Sequence, residues 1–391
     1  MKKNVVYIVI AVIISLSMLA GCGSPAPTEQ AASAEPIKIG YIGPLTGDGE
    51  PWGKTQVNTL QMLIKETNDA GGVLGRPIEL VYYDNRMDNI ESTNAARKLI
   101  LEDKVVAIIG TNASGQSIAV ANVANEYKIP QIATNATNVK VTMNEGVVRP
   151  YTFRVIFTDP QLGGLIAKYA AETMGVKKAV TLFEIGNDYS QGVAQAFADT
   201  FTASGGEILL TEAYKTEDVD FRAQLSKIKE ANPEAIFLPA AYKQIGLIAK
   251  QARELGITAT FMGTDTWLTK DMLTLAAAEV EGATFAAAID VNDPKLDGLK
   301  DKYRKLYGHE INEMGTIGFF AYDAYAILID AIKRAGSTDP TKIRDMIETA
   351  KDVPGCMSPI SIKPEDHNPI RTAAVMQIKD GKFITLQSVS D

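Results

Sequence analysis

The strongest constraint on how this chain can fold is a rhythm: short, apolar, β-rich runs alternate with longer segments of helical periodicity, and the whole pattern occurs twice. From Pro36 onward, strands are predicted at Ile37–Ile42, Ile78–Tyr83, Val105–Ile109 and Gln131–Ala133, with helices over Trp52–Asn68 and Asn89–Leu101. After Arg154 the pattern returns. Strands are predicted at Ala179–Phe183, Ile208–Ala213, Ala235–Pro239 and Thr260–Met262, and helices near Gln161–Thr173, Ser190–Ala203, Phe221–Ala231 and Lys243–Leu255. Such alternation implies parallel sheets joined by right-handed crossovers and covered by helices on both faces. "GGVLGRPIELVYYD" and "GGEILLTEAYKTED" echo each other, each placing a glycine pair before the second strand of its half. The expected fold class is therefore α/β, with two Rossmann-like lobes. A later helix over Gly318–Ala335 is apolar on more than one face, and the tail reads as a hairpin, Ala373–Ile378 and Phe383–Ser388, around Asp380-Gly381.

The N-terminus reads differently. Met1-Lys2-Lys3 precedes the apolar run VVYIVIAVIISLSMLA, which ends in Leu19-Ala20-Gly21-Cys22. A basic start, a short apolar core and small residues before a cysteine are the pattern of an export leader cleaved at residue 21, with Cys22 lipidated. Residues 22–35, rich in Pro and Ala, read as a flexible tether. The expected location is extracytoplasmic, held to the membrane by lipid alone. The one remaining cysteine, Cys356, then has no intrachain partner. A net charge of −8 argues against nucleic acid as a partner.

Catalytic patterns are missing from the sequence. His309 and His367 stand alone, without the neighbouring His, Cys or carboxylate that a zinc site needs. Neither G-x-S-x-G nor a phosphate-cradling glycine loop occurs, so no enzyme, metal or cofactor is expected. Polar and aromatic residues instead gather at the carboxyl ends of the predicted strands, the edge at which open α/β sheets bind ligands. "IIGTNASGQS" ends one strand in Asn112, Ala113 and Ser114; Asn135 and Thr137 follow the next; Trp52 lies beyond the first. In the second half, Tyr189, Tyr242 and Asp265 take corresponding places.

These residues sit within longer motifs: "IKIGYIGPLTGDGEPWG", "NDAGGVLGRPIELVYYDN", "YTFRVIFTDPQLGGLIAKY", "NDYSQG", "DFRAQLSKIK" and "QARELGITATFMG". Together they resemble the type I periplasmic binding proteins, in particular the Leu/Ile/Val receptors of ABC importers, over essentially the whole chain after the tether. The resemblance implies three hinge crossovers, expected near Arg154–Asp159, Gly282–Ala288 and Ser358–Lys363. Lobe 1 is expected to comprise residues 36–156 and 285–360, and lobe 2 residues 157–284 and 361–391.

The resemblance also implies that Ser114 and Thr137, with the backbone around Asn135 and neighbouring Asn112 and Ala113, hold a ligand carboxylate. Asp265 is implied to hold its ammonium, while Trp52, Tyr189 and Tyr242 enclose it. The implied function is reversible capture of a small neutral or branched-chain amino acid by a monomer, for delivery to a membrane permease and its ATPase. A receptor for another small carboxylate or amide, such as an aromatic acid, and a ligand-sensing signalling subunit are the alternatives. This chain departs from the pattern in several places: Asp265 replaces a common glutamate, Trp52 a tyrosine and Asn112 an apolar residue, and Arg86, Met87 and Ala113 occupy the neighbourhood in which some relatives carry a disulfide.

Overall fold

The computed structural model describes residues 35–390; the leader, Cys22 and most of the tether lie outside them. The first sheet contains β1 (Ile37–Gly43), β2 (Ile78–Asp84), β3 (Ile108–Ile109), β4 (Gln131–Ala133) and β5 (Thr152–Arg154) in the order β2-β1-β3-β4-β5, all parallel. Helices α1 (Glu50–Asp69), α2 (Asn89–Leu101) and α3 (Ser114–Tyr127) connect the first four strands. β3 is shorter than the apolar run Val105–Ile109 that encodes it, although Val106 N–H still donates to Lys38 O at 2.9 Å.

The second sheet repeats the plan. β6 (Lys178–Glu184), β7 (Glu207–Tyr214), β8 (Ala235–Phe237), β9 (Thr260–Gly263) and β10 (Thr284–Ala287) run in the order β7-β6-β8-β9-β10, again parallel. Helices α4 (Asp159–Lys168), α5 (Asp188–Ala203), α6 (Arg222–Ala231), α7 (Tyr242–Glu254) and α8 (Lys270–Ala276) accompany it. The C-terminal hairpin, β11 (Thr372–Lys379) and β12 (Lys382–Ser390), extends this sheet beyond β10 with antiparallel pairing. Each lobe therefore reverses strand direction of progression once, at β1/β3 and at β6/β8. The loops leaving those strands open onto the crevice where such folds bind ligands.

Local chemistry explains the helix starts. Asp88 accepts hydrogen bonds from Ile90 and Glu91 N–H at the head of α2, and Thr158 with Gln161 forms a reciprocal capping box at α4. The second core is aromatic: Phe197 of α5 stacks on Phe237 of β8 with ring centres 4.1 Å apart.

After β10 the chain returns to the first lobe. It forms α9 (Asp297–Tyr307), α10 (Ile317–Ala335) and α11 (Pro340–Glu348), and α10 lies along α1, where Tyr325 Oη bonds Thr67 Oγ1 at 2.7 Å. Two expected boundaries need correction. Position 284/285 falls inside a strand of the second sheet, because β10 is held between β9 and β11, so the crossing comes after Ala287. Residues 361–370 stay with the first lobe rather than joining the second: Ile362 N–H donates to Ala350 O at 3.0 Å, and His367 is fully buried between Thr152 O (2.9 Å) and Glu348 Oε1 (3.2 Å).

The crossing into β11 is clamped. Arg371 donates from Nη2 to Asp323 Oδ2 of α10 at 2.6 Å and from Nη1 to Val155 O of the first crossing at 2.8 Å, with the Phe320 ring beneath its guanidinium. Both charged side chains are buried. Removing one partner strands the other charge in the interior. Asp323→Ala should therefore lower unfolding stability by about 3–5 kcal/mol, read as a shift of the urea midpoint. Asp323→Asn, which keeps an acceptor, should lose clearly less.

Candidate functional site

A cavity of about 310 Å³ lies between the carboxyl edges of the two sheets. The first lobe supplies Asp48, Gly49, Trp52, Met87, Asn112, Ala113, Ser114 and Asn135; the second supplies Glu184, Asn187, Tyr189, Thr216, Tyr242, Lys243 and Asp265, among others. Met314, Thr316 and Ile317, at the head of α10, complete the wall.

The loop after β3 ends in Ala113, whose side chain offers α3 no cap. The N–H groups of its first turn therefore lack an intrahelical acceptor and carry the positive end of the helix dipole. Ser114 stands at this end with its Oγ accepting from Asn138 N–H at 3.2 Å. Across the cavity, the loop after β9 places Asp265 in a single 3₁₀ turn. Asp265 does not cap the helix that follows, because Thr269 does so by accepting from Met272 N–H. Its Oδ1 is buried and has no hydrogen-bond partner within the protein. Burial pushes the Asp265 carboxyl up to about 7, against the pull of its own and Thr266 N–H and of the Thr264 hydroxyl.

Tyr189, at the first turn of α5, lines the cavity with its hydroxyl bonded to Thr264 and Thr266. Burial, followed by the Asp265 charge, raises its ionisation well above the ordinary tyrosine range, so it is a neutral donor or acceptor. Tyr242 and Trp52 line the cavity from opposite lobes. Trp267 is core instead: fully buried, its indole N–H donates to Leu238 O at 2.8 Å.

Thr137 departs from expectation, since it is not among the residues lining the cavity. It is fully buried and its carbonyl accepts from Asp159 N–H at 2.9 Å, which ties this part of the loop to the first crossing. Its hydroxyl is buried without a hydrogen-bond partner in the protein. Burial pushes the nearby Asp159 carboxyl up to about 7, against the pull of that hydroxyl and the Arg154 charge.

A hydrogen-bonded platform supports the first-lobe wall. Gln56 of α1, fully buried, donates from Nε2 to Ile317 O (3.2 Å), Thr134 Oγ1 (2.9 Å) and Asn135 Oδ1 (3.0 Å). Its Oε1 accepts from the Tyr41 hydroxyl at 3.1 Å, and that hydroxyl lies 3.4 Å from Asn112 Oδ1. Several contacts span the lobes: Asn138 Nδ2 donates to Asp188 O at 2.7 Å, Lys270 N–H donates to Glu313 O at 3.0 Å, and Lys243 pairs with Asp48. The exposed ion pair contributes at most about 1 kcal/mol.

Sequence reasoning missed Glu184 and Thr216, although both follow strands at the edge that binds ligands. Glu184 accepts from Asn187 Nδ2 at 3.1 Å and from the Thr216 hydroxyl. Met314 and Thr316 had no local signal, since only the return of α10 to the first lobe brings them to the cavity.

The chain belongs to the periplasmic binding protein family, whose model matches residues 36–382. It is 28% identical over 319 residues to the leucine-, isoleucine-, valine-, threonine- and alanine-binding protein of Pseudomonas aeruginosa, covering 81% of this chain and 83% of that one. The leucine binding protein LivK of Thermotoga maritima superposes with a TM-score of 0.81 at 32% identity, over 90% of this chain and 99% of that one. A solute binding protein of an ABC transporter from Rhodopseudomonas palustris, solved with 3,4-dihydroxybenzoic acid, superposes with a TM-score of 0.79 at 26% identity, over 90% and 97%. The fold is thus the two-lobed α/β fold of type I periplasmic binding proteins, an extracytoplasmic family of solute binders.

Asp265 and Asp159 both hold protons more tightly folded than unfolded. Their contribution to stability is fully present below about pH 4 and is lost as pH rises through about 7. Asp265→Asn should accordingly flatten the fall in unfolding free energy between pH 5 and pH 7.5, measured by urea titration at each pH.

Proposed function

We propose that this protein is the extracytoplasmic receptor of an ABC importer, and that it captures a neutral α-amino acid of the small or branched-chain group between its lobes. One observation carries the reading: the open N-terminus of α3 faces, across a single cavity, a buried carboxylate oxygen without a partner. A zwitterion supplies what each end lacks. Its carboxylate accepts from Ser114 and the first N–H groups of α3. Its ammonium meets Asp265, and the mutual neutralisation offsets the cost of burying both charges. The backbone of Asn112, Ala113 and Asn135 flanks the carboxylate end, while Trp52, Tyr189 and Tyr242 exclude water. Thr137, behind the wall, positions the loop rather than touching the ligand.

Capture is reversible and breaks no bond. Closure of the lobes about the crossings brings Asp48 to Lys243 and Asn138 to Asp188, and the closed face is what a permease receives. Lipid on Cys22 and the tether through residue 35 keep the receptor beside that permease as a monomer. Relatives that bear amino-acid names support the ligand class, whereas the relative solved with a hydroxylated benzoic acid represents the alternative of a simple acid. Such an acid has at most a neutral hydroxyl to offer Asp265, and no cation.

Calorimetric titration of the purified chain with the common neutral amino acids should show binding of at least one small or branched member. Asp265→Ala should weaken it roughly 100-fold or more. Because the ammonium needs the ionised carboxylate, affinity should fall by up to about tenfold per pH unit below 7, with proton release on binding. Benzoate-type acids that bind without amino acids doing so, and that survive Asp265→Ala, would overturn the reading.

A further inference from the structure

We infer that the ligand's side chain carries a neutral hydrogen-bond acceptor, received by the carboxamides of Asn112 and Asn135. The preferred substrates are then small amino acids with a hydroxyl or carboxamide side chain rather than purely aliphatic ones. This inference rests on the amino-acid reading above and narrows it.

Both residues line the cavity, and the Nδ2 atom of each is buried with no hydrogen-bond partner in the protein. Asn112 is only 5% exposed. The orientation of Asn135 follows from its support. The Ile317 carbonyl can only accept, so the Gln56 atom facing it must be the amide nitrogen. That same nitrogen faces Asn135, which must therefore turn its own oxygen toward Gln56 at 3.0 Å. The Asn135 amino group is left as an unused donor. Asn112 is held in the same network because Tyr41 shares its single hydroxyl proton between Gln56 Oε1 at 3.1 Å and Asn112 Oδ1 at 3.4 Å.

Neither charged end of a bound amino acid uses these groups. The carboxylate seat lies where Ser114 meets Asn138, at the far end of the loop that begins with Asn135. The two carboxamides instead stand on the β1–α1 side, their oxygens held by Tyr41 of β1 and Gln56 of α1, in the cavity that Trp52 of α1 also lines. An aliphatic side chain placed there would seal two amide donors from water without giving them an acceptor, and sites built this way discriminate strongly against the group that leaves them unpaired. An anionic side chain is disfavoured by Glu184 on the opposite wall. A hydroxyl or carboxamide oxygen meets both conditions.

Matched ligands test this on the unmodified chain: L-threonine against L-valine and L-asparagine against L-leucine, pairs of nearly equal shape. Calorimetry should give the oxygen-bearing member about tenfold or more tighter binding in at least one pair. Asn135→Leu, confirmed folded by circular dichroism, should shrink or reverse that ratio while retaining binding of the aliphatic partner. If valine and leucine bind as tightly as threonine and asparagine, or more tightly, the inference is overturned and the amino-acid reading stands. If none of the four binds, the amino-acid reading itself fails and takes the inference with it. Should Asn135→Leu not fold, the wild-type ratios still decide.

Discussion

Asp265 imposes the constraint on which the binding site depends. A carboxylate taken out of water without a counter-charge is costly enough that it either keeps its proton or meets a cation. Here the N–H groups of Asp265 and Thr266 and the Thr264 hydroxyl stabilise its charged form, yet burial outweighs them and one oxygen stays unmatched. Opposite it, the head of α3 has the reverse deficit, with N–H groups but no capping side chain. Each lobe thus holds half of a charge pair that the protein itself does not complete. A zwitterion between the lobes, as proposed, would complete it and so couple lobe closure to ligand binding.

The architecture makes such a pairing possible because it is repeated. Both sheets share one strand order, so both direct the loops of their reversal points toward the same crevice. The lobes are held in register by crossings that are themselves anchored. Arg371 joins the third crossing to the first and to α10 through Asp323 and Val155, while His367 seats the preceding segment against Thr152 and Glu348. These buried polar contacts all lie on the first-lobe side, leaving the second lobe to move against a fixed base.

Selectivity is set one layer behind the ligand. Gln56 touches neither end of the zwitterion, yet its obligatory bond to Ile317 orients Asn135 and, with Tyr41, holds Asn112. It also joins α1, the loop after β4 and the head of α10, three segments distant in the chain. A change at Gln56 would therefore alter the wall and its support together.

Much of this was already legible in the sequence. Periodicity is a local property, so the strands and helices of both halves follow from short stretches such as IELVYYD and NIESTNAARKLIL. Parallel crossovers in turn place loop residues at one edge, which is why Ser114, Tyr189, Tyr242 and Asp265 could be picked out by position alone. What the sequence could not determine depends on contacts between distant segments. Thr137 is drawn away from the cavity lining where its carbonyl accepts from Asp159 N–H, and β10 belongs to the second sheet because β11 lies beside it, with Thr284 paired to Gln377 more than ninety positions later. Met314 and Thr316 reach the cavity only because α10 packs along α1, and the free amide of Asn135 exists only because Ile317 dictates which way Gln56 faces. Short-range chemistry chose the elements; burial and hydrogen-bond satisfaction across the chain chose the site.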